Sequence, residues 1–303
     1  MNQGVLATRS IVGRRPLEAA LRQDARREGL AMFGLIAPAL ALIGLVALVP
    51  VCMLVVLSFL DEAGSPTLQN YLRLLDGQAY ARVFATTFRV SLATTAICAV
   101  LAVPVAYLFS RLRERIANLL MIAVLVPLWT SVLVRTYAWM VILQRNGLVN
   151  QAGMALGWWS EPLALTLNEI GVLVGTVQIM LPYMILPIYG AMRKVDPAVV
   201  RAAASLGATP LRAFATVFLP LSLPGIMAGC LVTFVLCLGF YVVPEILGGG
   251  KVVMMAIQAA KDVQMFFNWG AAAALGVVLL VMTVALMALA HRFVPRRLGG
   301  ESE

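Results

Sequence analysis

The stretch DPAVVRAAASLGATPLRAFATVFLP, residues 196–220, lies between two long apolar runs of a 303-residue chain. Asp196 is a good N-cap, and Pro197 suits the first helical position, where its missing N–H costs no hydrogen bond. Gly207, about three turns later, supplies the left-handed stop. Thr209 and Pro210 then repeat the start signal. The segment reads as two short helices with a bend between them, lying outside the bilayer. Ala202, Ala203, Ala204 and Ser205 give the first helix small side chains on nearly every side, so another protein's surface can approach its backbone closely. Two readings fit: a helical hairpin that merely joins two spans, or a knob that docks on a partner.

The composition around this stretch is that of a polytopic membrane protein. Hydrophobic residues make up 61% and charged residues 12%, against about 45–50% and 25% in soluble domains. Runs of about 20 apolar residues suffice to cross a bilayer as helix, and six occur, at residues 33–60, 84–109, 117–143, 170–192, 221–243 and 271–291. The fold class is an all-α membrane protein of six transmembrane helices. Its parts are a basic segment at 1–32, a six-helix transmembrane domain at 33–294 in which residues 193–220 hold the stretch just described, and a tail at 295–303. Prolines 38, 50, 104, 127, 182, 187 and 224 predict kinks, which packing inside a membrane accommodates. Gly171 with Gly175, and Gly225 with Gly229, have the spacing that permits close helix approach. Cys52, Cys98, Cys230 and Cys237 all fall in apolar runs and read as small core or lipid-facing residues, not a disulfide framework.

Lys and Arg placement orients the chain. Sixteen flank one set of span ends and five the other (Arg73, Arg82, Arg145, Lys251 and Lys261), which puts both termini and the 196–220 stretch in the cytoplasm. Two arginines lie within spans. Arg89 reads as snorkelling from the outer start of the second. Arg135, about 27 Å along the third at 1.5 Å per residue, falls at the outer edge of the hydrocarbon, beside Tyr137 and Trp139. The net charge of +9 sits at span ends instead of forming an aromatic-laced patch, so nucleic acid is not an expected partner.

The chemistry that is missing narrows the function. No span carries Asp or Glu near its middle, and the only histidine, His291, ends the last span. Ion-coupled carriers need buried ionisable groups. Hydrolysis would need a metal cluster or an activated nucleophile. No catalytic or metal-binding residues are expected. The glycine-rich LGGGK at 247–251 is not a phosphate loop: Glu245 stands where the first glycine should be, and Val252 follows the lysine. It reads as a flexible turn at the outer surface.

The spacing of the opening stretch resembles the EAA loop of permease subunits of ABC importers, whose pattern is Glu-Ala-Ala, three residues, Gly, nine residues, Ile-x-Leu-Pro. Ala202, Ala203, Gly207, Leu219 and Pro220 fall on that pattern, with Val217 in the Ile place and Arg201 in the Glu place, a reversal of charge. The motifs NYLRLL (70–75), VPVAYLFSRL (103–112), VPLWTSVLVRTYAWMVIL (126–143), GLVN (147–150), LPYMILPIYGAM (181–192), LPLSLPGIMAG (219–229) and VPEILGGG (243–250) extend the resemblance to the first permeases of spermidine/putrescine importers.

This resemblance implies the importer permease fold in a bacterial inner membrane, and a transport subunit instead of an enzyme. It implies as partners a second related permease, two copies of a cytoplasmic ATPase that bind the ATP and Mg, and a periplasmic solute-binding protein. Residues 201, 202, 203, 205, 207, 219 and 220 would form the ATPase-coupling loop. A polyamine cargo needs carboxylates or aromatic faces, for which Trp139, Tyr183, Tyr241, Glu245 and Asp262 are the candidates along the path. The competing readings are import of an amino-acid derivative or phosphonate by the same machinery, and a secondary carrier working alone.

Overall fold

In the computed structural model, which describes residues 14–61 and 64–293, the described residues form helices joined by short turns, with one isolated bridge between Leu60 and Pro66 and no β-strand. The helices are α1 (Arg14–Ser58), α2 (Gln69–Asp76), α3 (Gln78–Arg111), α4 (Glu114–Leu125), α5 (Val132–Leu143), α6 (Leu148–Ala155) and α7 (Glu169–Arg193). They continue with α8 (Pro197–Ser205), α9 (Pro210–Ala213), α10 (Leu219–Leu238), α11 (Val242–Leu247), α12 (Met255–Gln264) and α13 (Trp269–Phe293). Five stretches are long and apolar enough to cross a bilayer: Ile36–Ser58, Gln78–Arg111, Glu169–Arg193, Pro210–Leu238 and Trp269–Ala290.

The chain divides into two units, Met1–Val56 and Leu57–Glu303. The first contains most of α1, which stays continuous through Pro38 and Pro50. The tail at 295–303 and the first 13 residues lie outside the described residues.

The core of the second unit is the triangle of α3, α7 and α10. Glycine decides how closely these helices meet. A Cβ on Gly225 would sit 2.3 Å from the Ala191 Cβ and 2.7 Å from the Pro187 carbonyl oxygen, and one on Gly229 would sit 2.9 Å from the Met184 sulfur. The Gly225/Gly229 pair is thus the seam between α10 and α7. Gly175 has the same relation to α11, with Leu247 and Val243 at 2.7 and 2.9 Å from its would-be Cβ. Cys98 and Cys237 are fully buried and Cys52 is exposed, all as free thiols.

The third expected span is not one helix. Glu114–Trp129 and Val132–Ala155 meet at a 95° bend. Pro127 removes a helical N–H and crowds the preceding turn, so the chain tightens into a 3₁₀ turn, Val126–Trp129, and then runs extended through Thr130 and Ser131. The Thr130 hydroxyl donates to the Pro127 carbonyl at 2.7 Å and satisfies an oxygen that the break exposes. Arg135 therefore does not lie 27 Å up a straight helix. It is one turn into α5, with Nε and Nη1 buried and without a hydrogen-bond partner. Arg89 does not simply snorkel: its guanidinium pairs with Glu169 at the start of α7.

The fifth span also differs from its sequence reading. It begins at Pro210 and ends at Leu238, and Val242–Leu247 forms a separate short helix beyond Gly239 and Phe240. The Gly248–Lys251 turn is closed by a hydrogen bond from the Lys251 amide to the Gly248 carbonyl, with Gly249 and Gly250 at φ +55° and +75°.

Candidate coupling site

The 196–220 stretch folds as a capped knob. The Ala198 amide donates to the Asp196 carboxylate at 2.8 Å, and Pro197 occupies the first turn of α8. At the other end, Gly207 is at φ +87°. Its amide donates to the Ala204 carbonyl at 2.9 Å, and the Ala208 amide to the Ala203 carbonyl at 3.1 Å. This pair of bonds is a Schellman motif, which occupies the carbonyls a helix end leaves open. The small residues expected on α8 are in place: Ala202, Ala204, Ser205 and Gly207 are exposed and Ala203 is half-buried. Leu206, 90% exposed, and Leu211, 78% exposed, project apolar side chains from the tip.

The second short helix is not separate from the fifth span. The Thr209 hydroxyl accepts from the Arg212 amide at 3.4 Å and starts α9. The chain then widens into a π-helical turn, Phe214–Phe218, and passes directly into α10 with Leu219 and Pro220 in its first turn. The sequence reading of two separate short helices is corrected here, since only α8 stands apart from the fifth span. Proline is tolerated in a first helical turn, so Pro220 does not interrupt the run.

The π turn sets Phe214 and Phe218 stacked, with ring centres 5.9 Å apart. Both meet the Tyr107 ring edge-on, at 4.8 and 5.1 Å. Arg111, one turn beyond Tyr107 on α3, lies over the Tyr107 and Phe218 rings at 5.2 and 5.0 Å. Aromatic pairs contribute about 0.5–1.5 kcal/mol each beyond area burial, and exposed cation–π contacts about 0.5–1 kcal/mol. This cluster fixes the knob to the end of the second span. Sequence reasoning missed it, although the i, i+4 spacings Tyr107/Arg111 and Phe214/Phe218 were visible. At the neighbouring helix end, Arg193 donates to the Tyr189 hydroxyl at 3.1 Å and approaches Glu114 at 3.9 Å, tying α7 to the start of α4.

Between α8, α9 and the end of α3 is a groove of about 500 Å³ that includes Tyr107, Arg111, Arg201, Ala204 and Phe214. It carries two cations, Arg111 and Arg201, and no carboxylate among its lining residues. Arg201, in the place of the family's Glu, faces this groove, so the site suits an acidic or apolar protein surface.

The path candidates do not converge. Trp139 on α5 packs half-buried against the main core, and α5 contacts α11, which starts just after exposed Tyr241 and carries exposed Glu245. Tyr183 is exposed on α7, and Asp262 is buried on α12. No hydrogen bond, ion pair or ring contact between the side chains of these five is found among the described residues, which also contain no group of three metal-ligating side chains.

A bundle of long apolar helices with a capped knob between two of them fits a polytopic membrane subunit. Residues 95–299 match the family described as binding-protein-dependent transport system inner membrane component, and the chain belongs to that family. It is a multi-pass inner-membrane transport subunit, not an enzyme. The spermidine/putrescine transport system permease protein PotB of Haemophilus influenzae is 33% identical over 251 residues, covering 81% of this chain and 87% of that protein. The protein of the same name from Escherichia coli is 32% identical over 225 residues, covering 74% and 81%. Among solved structures, a bacterial alginate ABC transporter in complex with alginate pentasaccharide-bound periplasmic protein matches with a TM-score of 0.71 at 14% identity, over 89% of this chain and 95% of that one. That likeness is one of fold.

Proposed function

We propose that this chain forms half of the translocation path of an ATP-driven polyamine importer, with spermidine or putrescine as cargo. Its partners in this reading are a second related permease, two copies of a cytoplasmic ATPase that bind ATP and Mg, and a periplasmic solute-binding protein. Both termini and the 196–220 knob face the cytoplasm. The observation that carries the coupling role is the knob itself: α8 is capped at both ends, and the π turn that follows α9 is clamped to α3 by Tyr107 and Arg111 and runs directly into the fifth span. ATP-driven closure of the ATPases displaces α8, and the clamp passes that displacement to two spans at once. The polyamine cargo is supported by the two named relatives.

The test is reconstitution. The chain, purified with the permease, ATPase and binding protein encoded beside it, should accumulate labelled spermidine or putrescine in proteoliposomes in an ATP-dependent way. Uptake of an amino-acid derivative or phosphonate in preference would replace the cargo and keep the machinery. Uptake by this chain alone, driven by an ion gradient, would overturn both.

A further inference from the structure

At the end of the bundle away from the knob, α2, α3, α12 and the start of α13 enclose a cavity of about 470 Å³ whose lining includes Arg73, Tyr80, Gln258, Asp262, Phe266 and Asn268. Its position is fixed from α3. The Thr87 hydroxyl accepts from the Met255 amide at 2.9 Å and so caps the first turn of α12, and two turns later α12 presents Asp262. Asp262 is only 4% exposed. Its Oδ1 accepts from the Gln258 amide at 2.8 Å, whereas Oδ2 is buried with no donor at hydrogen-bonding geometry, although the Tyr80 hydroxyl is near enough to act on the carboxylate. A buried acceptor without a donor is costly, and most such atoms are satisfied. Arg73 lines the same cavity and makes no ion pair with Asp262.

We propose that this cavity binds the ammonium group of a small organic amine, with Asp262 Oδ2 as its charged acceptor and Tyr80 and Phe266 as its aromatic walls. The proposal rests on the importer reading and deepens it, by giving the amine a place on this subunit remote from the knob. Three features select an ammonium. One carboxylate is too few for Ca²⁺ or Mg²⁺, which require about six oxygen ligands, and no metal-type cluster exists among the described residues. An ammonium brings N–H donors to an oxygen that lacks one. Aromatic faces attract an organic cation. Arg73 limits occupancy to a single ammonium, because a second positive charge directed toward the guanidinium is repelled. A monoamine and a diamine therefore bind here with similar affinity.

The experiment uses the assembled importer in nanodiscs without its binding protein, titrated calorimetrically with n-butylammonium, putrescine and sodium. The two amines should bind within a few-fold of each other, and sodium should not compete. Asp262→Asn should weaken both amines at least tenfold while the complex still assembles. Phe266→Ala, at a largely exposed side chain, should weaken both about threefold, the size of one cation–π contact, and it provides the test if the Asn variant fails to fold. Arg73→Ala should strengthen putrescine over n-butylammonium. Equal amine affinity in wild type and both Asp262→Asn and Phe266→Ala overturns the site, as does displacement of amine by sodium. An Asp262→Asn variant that binds amines normally but docks the binding protein poorly would assign the cavity to a protein contact and overturn it too. Because n-butylammonium is not a polyamine, its binding separates this site from the cargo: amine binding without polyamine import sinks only the proposed function, and import without amine binding sinks only the site.

Discussion

The Arg111 guanidinium lies 5.0 Å from the centre of the Phe218 ring and 5.2 Å from that of Tyr107. One residue near the end of the second span thus holds the start of the fifth. The contact is cation–π in kind, so it depends on both the charge and the ring.

Replacing Tyr107 by Leu removes the aromatic edge and the cation–π face while keeping apolar bulk. We expect normal membrane insertion, a loss of about 1–2 kcal/mol from the two aromatic contacts, and reduced solute-stimulated ATP hydrolysis in the assembled complex. Arg111→Gln should lower stimulation less than Tyr107→Leu, because it leaves the rings in contact. Stimulated turnover in proteoliposomes, normalised to assembled complex, ranks the two.

Gly207 tests the cap. No atom lies within 4 Å of a Cβ added there, so a substitution is strained by φ +87° alone. Gly207→Val should cost about 1–2 kcal/mol locally, fray the Schellman turn, weaken ATPase co-purification and abolish stimulation. Gly207→Asn, which tolerates the left-handed region better, should retain most of both. Arg201→Ala should change little. Full stimulation in Gly207→Val would reduce the segment to a connecting hairpin.

The seam between α7 and α10 is tested by contrast. Gly225→Ala puts a methyl group 2.3 Å from the Ala191 Cβ, whereas Gly190→Ala meets nothing within 4 Å. Overpacking typically costs about 1–3 kcal/mol. The first variant should melt at lower temperature in detergent by fluorescence scanning, and the second should match the parent.

Asp262 gives a pH signature. Burial raises its pKa above the usual carboxylate value, with the Gln258 amide and the Tyr80 hydroxyl pulling the other way. The native state therefore holds the Asp262 proton more tightly than the unfolded state does. Its contribution to stability is fully present below the unfolded pKa and is lost as pH rises through the raised native value. The charged and titratable groups lining the cavity around it are Arg73 from α2 and Tyr80 from α3, with Lys261 adjacent on α12. Melting temperatures of wild type minus Asp262→Asn should fall as pH rises across the mildly acidic range, and a flat difference would contradict the assignment.

Topology has its own check. With native cysteines replaced, a thiol at Ala198 should label only from the cytoplasm and one at Gly64 only from outside. Outside labelling of Ala198 in sealed cells would invert the bundle and remove the coupling role.

What the sequence made legible follows from how local each signal is. Caps are local, so Asp196, Pro197, Gly207 and Thr209 were readable, and the structure has all four in those roles. Apolar length is also local, and it located the spans. It could not reveal the 95° break, because Pro127 resembles the other prolines, such as Pro104 and Pro224, that sit inside unbroken helices. What differs is Thr130 and Ser131 after Pro127, which take up extended backbone. Tertiary placement was beyond reach. The Tyr107/Arg111 clamp joins residues over 100 positions from Phe214 and Phe218, and nothing in the sequence near Asp262, a path candidate, signals that α2 and α3 pack beside it.

The uninterrupted run from Pro210 to Leu238 makes the fifth span a crankshaft. Its 29 residues form a rod of about 43 Å, of which about 30 Å lies beyond Phe218, and pivoting that arm by about 5° swings its far end by about 3 Å. The π turn at Phe214–Phe218 is the joint with the least regular hydrogen bonding along the rod, and it sits where α3 grips it. In the importer proposed above, a short stroke at Leu206 would be geared into movement at Gly239, with the ratio set by where Tyr107 and Arg111 place the fulcrum. Moving that grip one turn along the helix would then change the travel of Gly239 for the same stroke at the knob.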